Sequence, residues 1–164
     1  MASGDTLVVF HPYNNEPPSS NQATIDLRNQ HPVLDFAADA TERAVFSYIM
    51  PQHYDGGGVT VYAHFTMTSD TNTGHGVRID GAFEDDGSQD IDADGFASAQ
   101  SVTAAPNGTS GIETVAQISF TDGAQMDGVG AGDRFRFYIE RDHDHADDDA
   151  TGDMELGQVE IREA

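Results

Sequence analysis

Between residues 59 and 68 every second side chain is apolar. Val59, Val61, Ala63, Phe65 and Met67 share one side, and Thr60, Tyr62, His64, Thr66 and Thr68 share the other. A period of two sustained this long is that of a strand with one face in a core and one toward water. The alternation returns in Val77, Ile79 and Phe83 against Arg78, Asp80 and Glu84. It returns again in Ile112, Thr114, Ala116, Ile118 and Phe120, and in Phe135, Phe137 and Ile139. In residues 154–162 the phase changes around Gly157: Met154 and Leu156 have one parity, Val159 and Ile161 the other. A β-bulge at that glycine would reconcile them.

Further strands are expected at 6–10, 23–27, 33–36, 44–50 and 98–104. Turn signals separate them: Asn14-Asn15, Pro17-Pro18, Gly56-Gly57-Gly58, Asp86-Gly87, Asn107-Gly108, Asp122-Gly123 and residues 130–133. Short strands spaced in this way predict an all-β chain, an antiparallel β-sandwich of jelly-roll type. Helical turns are expected at most around 94–99 or 125–129. The chain reads as a single domain, with residues 1–30 an extended N-terminal arm and first strands, and 31–164 the jelly-roll β-sandwich. Residues 44–50 depart from the pattern. Val45 and Ile49 are apolar on one face, and Phe46, Tyr48 and Met50 on the other. Such a strand is either buried on both sides or meets a neighbouring subunit.

Charge narrows the range of partners. The 164 residues carry 29 acidic side chains against seven basic ones, a formal net charge of −22. All the basic residues are arginine. A nucleic-acid backbone needs a basic footprint, so nucleic acid is excluded as a partner. Two explanations of the acidity stand equally: mutual repulsion of a molecule displayed at high local concentration, or a saline habitat. No apolar run approaches the ~20 residues that span a bilayer, and the first residues lack a signal-peptide pattern, so no membrane partner is expected. The chain has no cysteine, which removes disulfides and thiolate chemistry.

The sharpest local pattern is Asp90, Asp92 and Asp94 followed by Gly95. Carboxylates at alternate positions before a glycine resemble half of a calcium loop. Position twelve of an EF-hand would be Ser101, not glutamate, so the pattern is either a simpler calcium loop or a solvated acidic loop. Residues 142–149 hold His143 and His145 among aspartates, a second acidic loop, with adventitious metal binding as its alternative. There is no G-x-S-x-G elbow, no P-loop and no H-E-x-x-H, so no enzyme and no organic cofactor are expected.

Several strings occur together in order: Gly4-Asp5-Thr6-Leu7, NQHPVLDF at 29–36, AVFSYIMP at 44–51, GGGVTV at 56–61, GFASAQ at 95–100, ISFTD at 118–122, AGDRFRFYIERD at 131–142 and GDMELGQVEIR at 152–162. They resemble virion structural proteins of tailed bacteriophages and prophages, and the similarity runs from Gly4 to Glu163. The resemblance implies a jelly-roll cement protein on the capsid exterior. It would assemble as a homodimer or homotrimer and bridge major capsid protein subunits. The closing hairpin also resembles those of carbohydrate-binding modules and fibre tips. The alternative is therefore a glycan- or receptor-binding module of a phage fibre or tail, with calcium as a possible ligand. In either setting the expected interface residues are Phe46, Tyr48, Met50, Tyr13, Pro17 and Pro18. The arm would lie along a neighbour or against its own sheet edge.

Overall fold

The alternating run at 59–68 becomes a strand whose burial follows the sequence residue for residue, inward at Val59, Val61, Ala63, Phe65 and Met67. This strand lies within a computed structural model that describes residues 3–164. In chain order the strands are β1 (Thr6–Phe10), β2 (Thr24–Arg28), β3 (His31–Phe36), β4 (Glu42–Ile49), β5 (Val59–Met67) and β6 (Val77–Asp85). They continue as β7 (Gln100–Ala104), β8 (Thr114–Phe120), β9 (Arg134–Arg141) and β10 (Met154–Glu163). Two single-turn 3-10 helices, Pro12–Asn14 and Ala124–Met126, are the helical content of the described residues.

The strands form two antiparallel sheets. A six-stranded sheet has the order β2-β3-β10-β5-β8, with β1 also paired to β10; a four-stranded sheet has the order β4-β9-β6-β7. From β3 to β6 the chain alternates between sheets at each step, and again from β7 to β10. That crossing pattern gives a sandwich in which most paired strands are remote in sequence, with β2–β3 and β6–β7 the consecutive pairs. The inner faces share one core rich in phenylalanine. Phe83 meets Phe120, Phe135 and Phe137 with ring centroids 4.9, 5.6 and 4.9 Å apart. On the other flank Phe10 stacks on Phe46 at 4.8 Å.

The phase change in the last strand is a bulge. The register of β10 against β5 shifts between Leu156 and Gln158, so Met154, Leu156, Val159 and Ile161 all reach the core. Gly58, just before β5, has φ +88°, and a Cβ there would sit 2.5 Å from the Phe120 carbonyl oxygen. Only glycine fits this tight entry into the sheet.

The acidic loop at 142–149 is part of the scaffold. Asp148 takes the Arg141 guanidinium on two oxygens, at 2.8 and 3.0 Å, and both side chains are buried. Arg141 also donates to the carbonyls of Ala150 and Gly152 at 2.9 and 2.8 Å, so four hydrogen bonds meet a buried charge. Nearby, burial alone would raise the carboxyl of Asp70. His75, at 2.7 Å, and the N–H groups of Asn72 and Thr151 outweigh burial and hold it at about 2.

The segment at 1–30 lies on its own sandwich wherever it is described. β1 pairs with β10, and β2 pairs with β3. Between them, Glu16 N–H donates to the Val45 carbonyl at 2.7 Å and Ala23 N–H to that of Arg43 at 2.9 Å. This strap covers much of the free edge of β4. Met1 and Ala2 lie outside the described residues.

Candidate functional site

The two outer faces of the sandwich differ. On the four-stranded sheet, Val45, Ala82 and Tyr138 form an apolar patch covered by Phe96, which meets the Tyr138 ring edge-on at 4.8 Å. Phe96 is brought there by the loop at 86–99, anchored where Ala97 N–H donates to the Phe83 carbonyl at 2.8 Å. Arg43 lies 3.6 Å from the Tyr138 ring centroid, on a stacked cation–π contact. The chain itself covers this apolar patch, and a smaller cavity of about 360 Å³ lies beside it, lined by Glu16, Ser47, Glu84, Ile91 and Arg136.

The outer face of the six-stranded sheet is open, and it holds a groove of about 850 Å³. Its floor is built from outward positions of β3, β10 and β5, namely Val33, Glu155, Gln158, His64 and Thr66, with Pro32 at the edge. The bulge matters here, because Gly157 lets Glu155 and Gln158, three residues apart, both face outward. One border is His11, Pro12 and Tyr13, where Asn14 Oδ1 caps the His11 N–H at 2.8 Å and Pro12 is buried. Tyr13 is 68% exposed, with its ring available.

The opposite border is the turn joining β2 to β3, with Gly111 and Glu113 beyond it. The turn is a two-residue hairpin loop in which Asn29 and Gln30 both have positive φ, 47° and 72°. Neither is glycine, so the turn carries backbone strain. The His31 ring holds it, donating from Nδ1 to the Asn29 carbonyl at 2.9 Å.

The groove floor is tied together electrostatically. Arg28 reaches across from β2 and donates to the carboxylate of Glu155, to the Met67 carbonyl at 2.7 Å, to Thr66 Oγ1 at 3.3 Å and to Ser110 Oγ at 3.2 Å. His64 Nδ1 lies 3.2 Å from a Glu113 carboxylate oxygen, and Gln158 donates to His11 at 3.1 Å. Beyond the groove on the same face, hydrogen bonding from Arg162 holds the Glu160 carboxyl below its ordinary range. At the far end, Asp35 is pushed up to about 6, first by burial and then by Asp153, Glu155, Asp26 and Glu42. One Asp35 carboxylate oxygen is buried without a hydrogen-bond partner.

Of the residues singled out in the sequence, Tyr13 alone borders this groove. Phe46 and Met50 correct the expectation of a neighbour-facing surface: they are 1% and 0% exposed in the chain's own core. The two-sided apolar character of the segment has a local cause, since β4 packs Phe46 inward while its outer residue Val45 lies under Phe96. Tyr48 is exposed at the end of β4, edge-on to Phe10 at 6.2 Å. Pro17 is exposed and Pro18 half-buried, both in the strap along β4 rather than at the groove.

The calcium-loop expectation is also corrected. Asp90 turns inward on its own segment, its carboxylate accepting the Asp92 N–H at 3.1 Å and its carbonyl the N–H groups of Ala93 and Asp94 at 2.9 Å. Aspartate readily makes such self-capped turns. Asp94 points toward Glu84 and contributes to raising that carboxyl, after burial. Among the described residues no group of three or more His, Asp or Glu side chains is placed to hold a metal ion. No helix among them is long and apolar enough to cross a membrane.

Arg28, Glu155, His64 and Gln158 were not singled out from the sequence. For His64 in β5 and for Glu155 and Gln158 in β10 the signal was polar parity, the same as any solvated face, and Arg28 was one arginine at the end of β2.

Comparison with known proteins fixes the fold. No family model and no curated protein matches the chain. Among solved structures, it is similar to a xylan-binding module of family 15, with 12% identity over 96% of this chain and 97% of that one, at a TM-score of 0.52. It is similar to a carbohydrate-binding module of Cellvibrio mixtus lichenase 5A in complex with cellotriose, at 11% identity, 98% and 99% coverage and a TM-score of 0.51. A third is the CBM22-2 xylan-binding domain of Paenibacillus barcinonensis Xyn10C, at 13% identity, 92% coverage of each chain and a TM-score of 0.54. The chain is a jelly-roll β-sandwich. At these identities the likeness concerns the fold, and function has to be argued from the groove.

Proposed function

We propose that this chain is a glycan-binding β-sandwich module. The observation that carries the reading is the open groove on the six-stranded sheet. A sugar chain presents hydroxyl groups at its edges and C–H surfaces on its ring faces. The groove offers donors and acceptors side by side in Gln158, His64, Thr66, Asn29 and Glu155, with the exposed Tyr13 ring at its border. A few placed polar groups beside an aromatic surface, on a scaffold tied by Arg28, form a binding site with little to reorganise. Similar folds whose names include xylan binding or a bound cellotriose support the reading by analogy. No catalytic step and no cofactor are part of it.

Affinity electrophoresis in gels containing xylan or β-glucan, followed by calorimetric titration, tests it. Retardation by at least one glycan is expected, reduced in Tyr13→Ala. Free migration in every polysaccharide of a broad array would sink the proposal.

The sequence resemblance from Gly4 to Glu163 supports a virion setting, on a phage fibre or tail for a glycan-binding module. In the cement version the partners are the major capsid protein and further copies of the chain, on the capsid exterior. Stoichiometry separates the two. Near one copy per major capsid subunit in purified particles, with no glycan binding, would favour cement.

A further inference from the structure

Resting on the glycan-binding reading, we propose that the groove takes neutral sugar chains and excludes uronate-bearing ones. The groove is lined by one arginine among the described residues, Arg28, and its guanidinium is committed. It donates to Glu155, to the Met67 carbonyl at 2.7 Å, to Thr66 at 3.3 Å and to Ser110 at 3.2 Å. Arg28 therefore builds the floor and offers no counter-ion to a ligand carboxylate. The next arginine on this face, Arg162, is held by Glu160 at 2.7 Å and lies 4.2 Å from the Tyr62 ring centroid.

The carboxylates are placed differently. The Glu113 side chain is 56% exposed at the rim, and Glu155 forms part of the floor. A ligand carboxylate would approach the exposed Glu113 with no free arginine beside it, since Glu155 and Arg28 neutralise one another, in a molecule of formal charge −22. Like charges brought to a concave surface repel more strongly than on open surface, because low-dielectric walls focus the field. Hydroxyl groups meet no such penalty. They can donate to Glu113 and Glu155 and accept from Gln158 and Asn29.

The experiment uses matched pairs that differ only at C6: cellohexaose with its C6-carboxylate form, and xylohexaose bearing a glucosyl branch with the same chain bearing a glucuronosyl branch. Each is titrated into the full chain at neutral pH in about 20 mM and about 500 mM NaCl, concentrations that bracket the Debye screening range. The expected result is at least tenfold weaker binding of each carboxylated partner at low salt, with the gap narrowing at high salt. Glu113→Gln, at an exposed site where folding is not at stake, should narrow the low-salt ratio between each neutral chain and its carboxylated partner. Equal or tighter binding of the carboxylated member overturns this inference and leaves the glycan reading standing. Failure of all four chains, together with free migration across the polysaccharide array, overturns both.

Discussion

The outer faces of the two sheets were made by the same alternation, yet the apolar patch of one is covered and the broad groove of the other is open. On the four-stranded sheet the outward positions include Val45, Ala82 and Tyr138, and the chain lays Phe96 over them. On the six-stranded sheet the outward positions of β5 and β10 are Thr60, Tyr62, His64, Thr66, Glu155 and Gln158, and no segment covers the middle. An apolar outer face stays in water only at the cost of about 25 cal/mol per Å² of exposed surface, so the loop at 86–99 closes on it. A polar outer face gains little from being covered. The open sheet is therefore the one left for a ligand.

The largest perturbation should act on both faces together. Arg141→Ala leaves Asp148 as an uncompensated buried carboxylate beneath the connection between β9 and β10. It should cost about 3–5 kcal/mol, read as a fall in the urea midpoint with the slope unchanged. If glycan binding survived such a loss intact at low temperature, the groove would hold its shape independently of this buried ion pair.

Phe96→Ala should separate the faces. Removing this half-buried ring uncovers Val45, Ala82 and Tyr138, with an expected loss of about 2 kcal/mol and unchanged glycan affinity. A comparable drop in affinity would mean that the closed face supports the open one. Tyr13→Ala makes the reverse test. With its ring exposed it should leave the melting temperature unchanged and weaken sugar binding by about 1 kcal/mol, or about fivefold. Lost stability with unaltered affinity would remove Tyr13 from the site.

The smallest expected effect is a pH dependence carried by the open face. The native Asp35 carboxyl is raised from 3.8 to about 6, so the folded state holds this proton more tightly than the unfolded chain. The contribution to stability is then fully present below pH 3.8 and is lost as pH rises through about 6. Asp35→Asn should remove that loss and stabilise the protein above pH 6 by roughly 1 kcal/mol, after allowance for solvent screening. A wild-type minus variant difference in melting temperature that stays flat between pH 4 and 7 would contradict the assignment.

Much of the fold was legible because strand parity is a local property. The run at 59–68 announced β5, and the change of phase around Gly157 announced the bulge, since each records which side of one backbone faces oil. The strand at 44–50 left two readings open for the same reason, burial on both sides, which holds at Val45 and Phe46, or contact with a neighbour. Its parity shows that both faces are apolar, but not that Phe96, some fifty residues later in the chain, covers one of them. The Asn29-Gln30 turn gave no glycine signal because its positive φ angles are held by contacts around the turn, including the His31 ring, rather than by residue type alone.

By itself the sequence determined the class of fold, the inward and outward parity of most strands, and the acidity. All follow from composition or from a period of two along a short stretch. Tertiary structure decided which outward face would remain open, and it joined Arg28 to Glu155 across 127 positions to build a floor there. Periodicity says that a side chain points away from the core. What then lies over it depends on the path of distant segments, and only the folded chain brings those together.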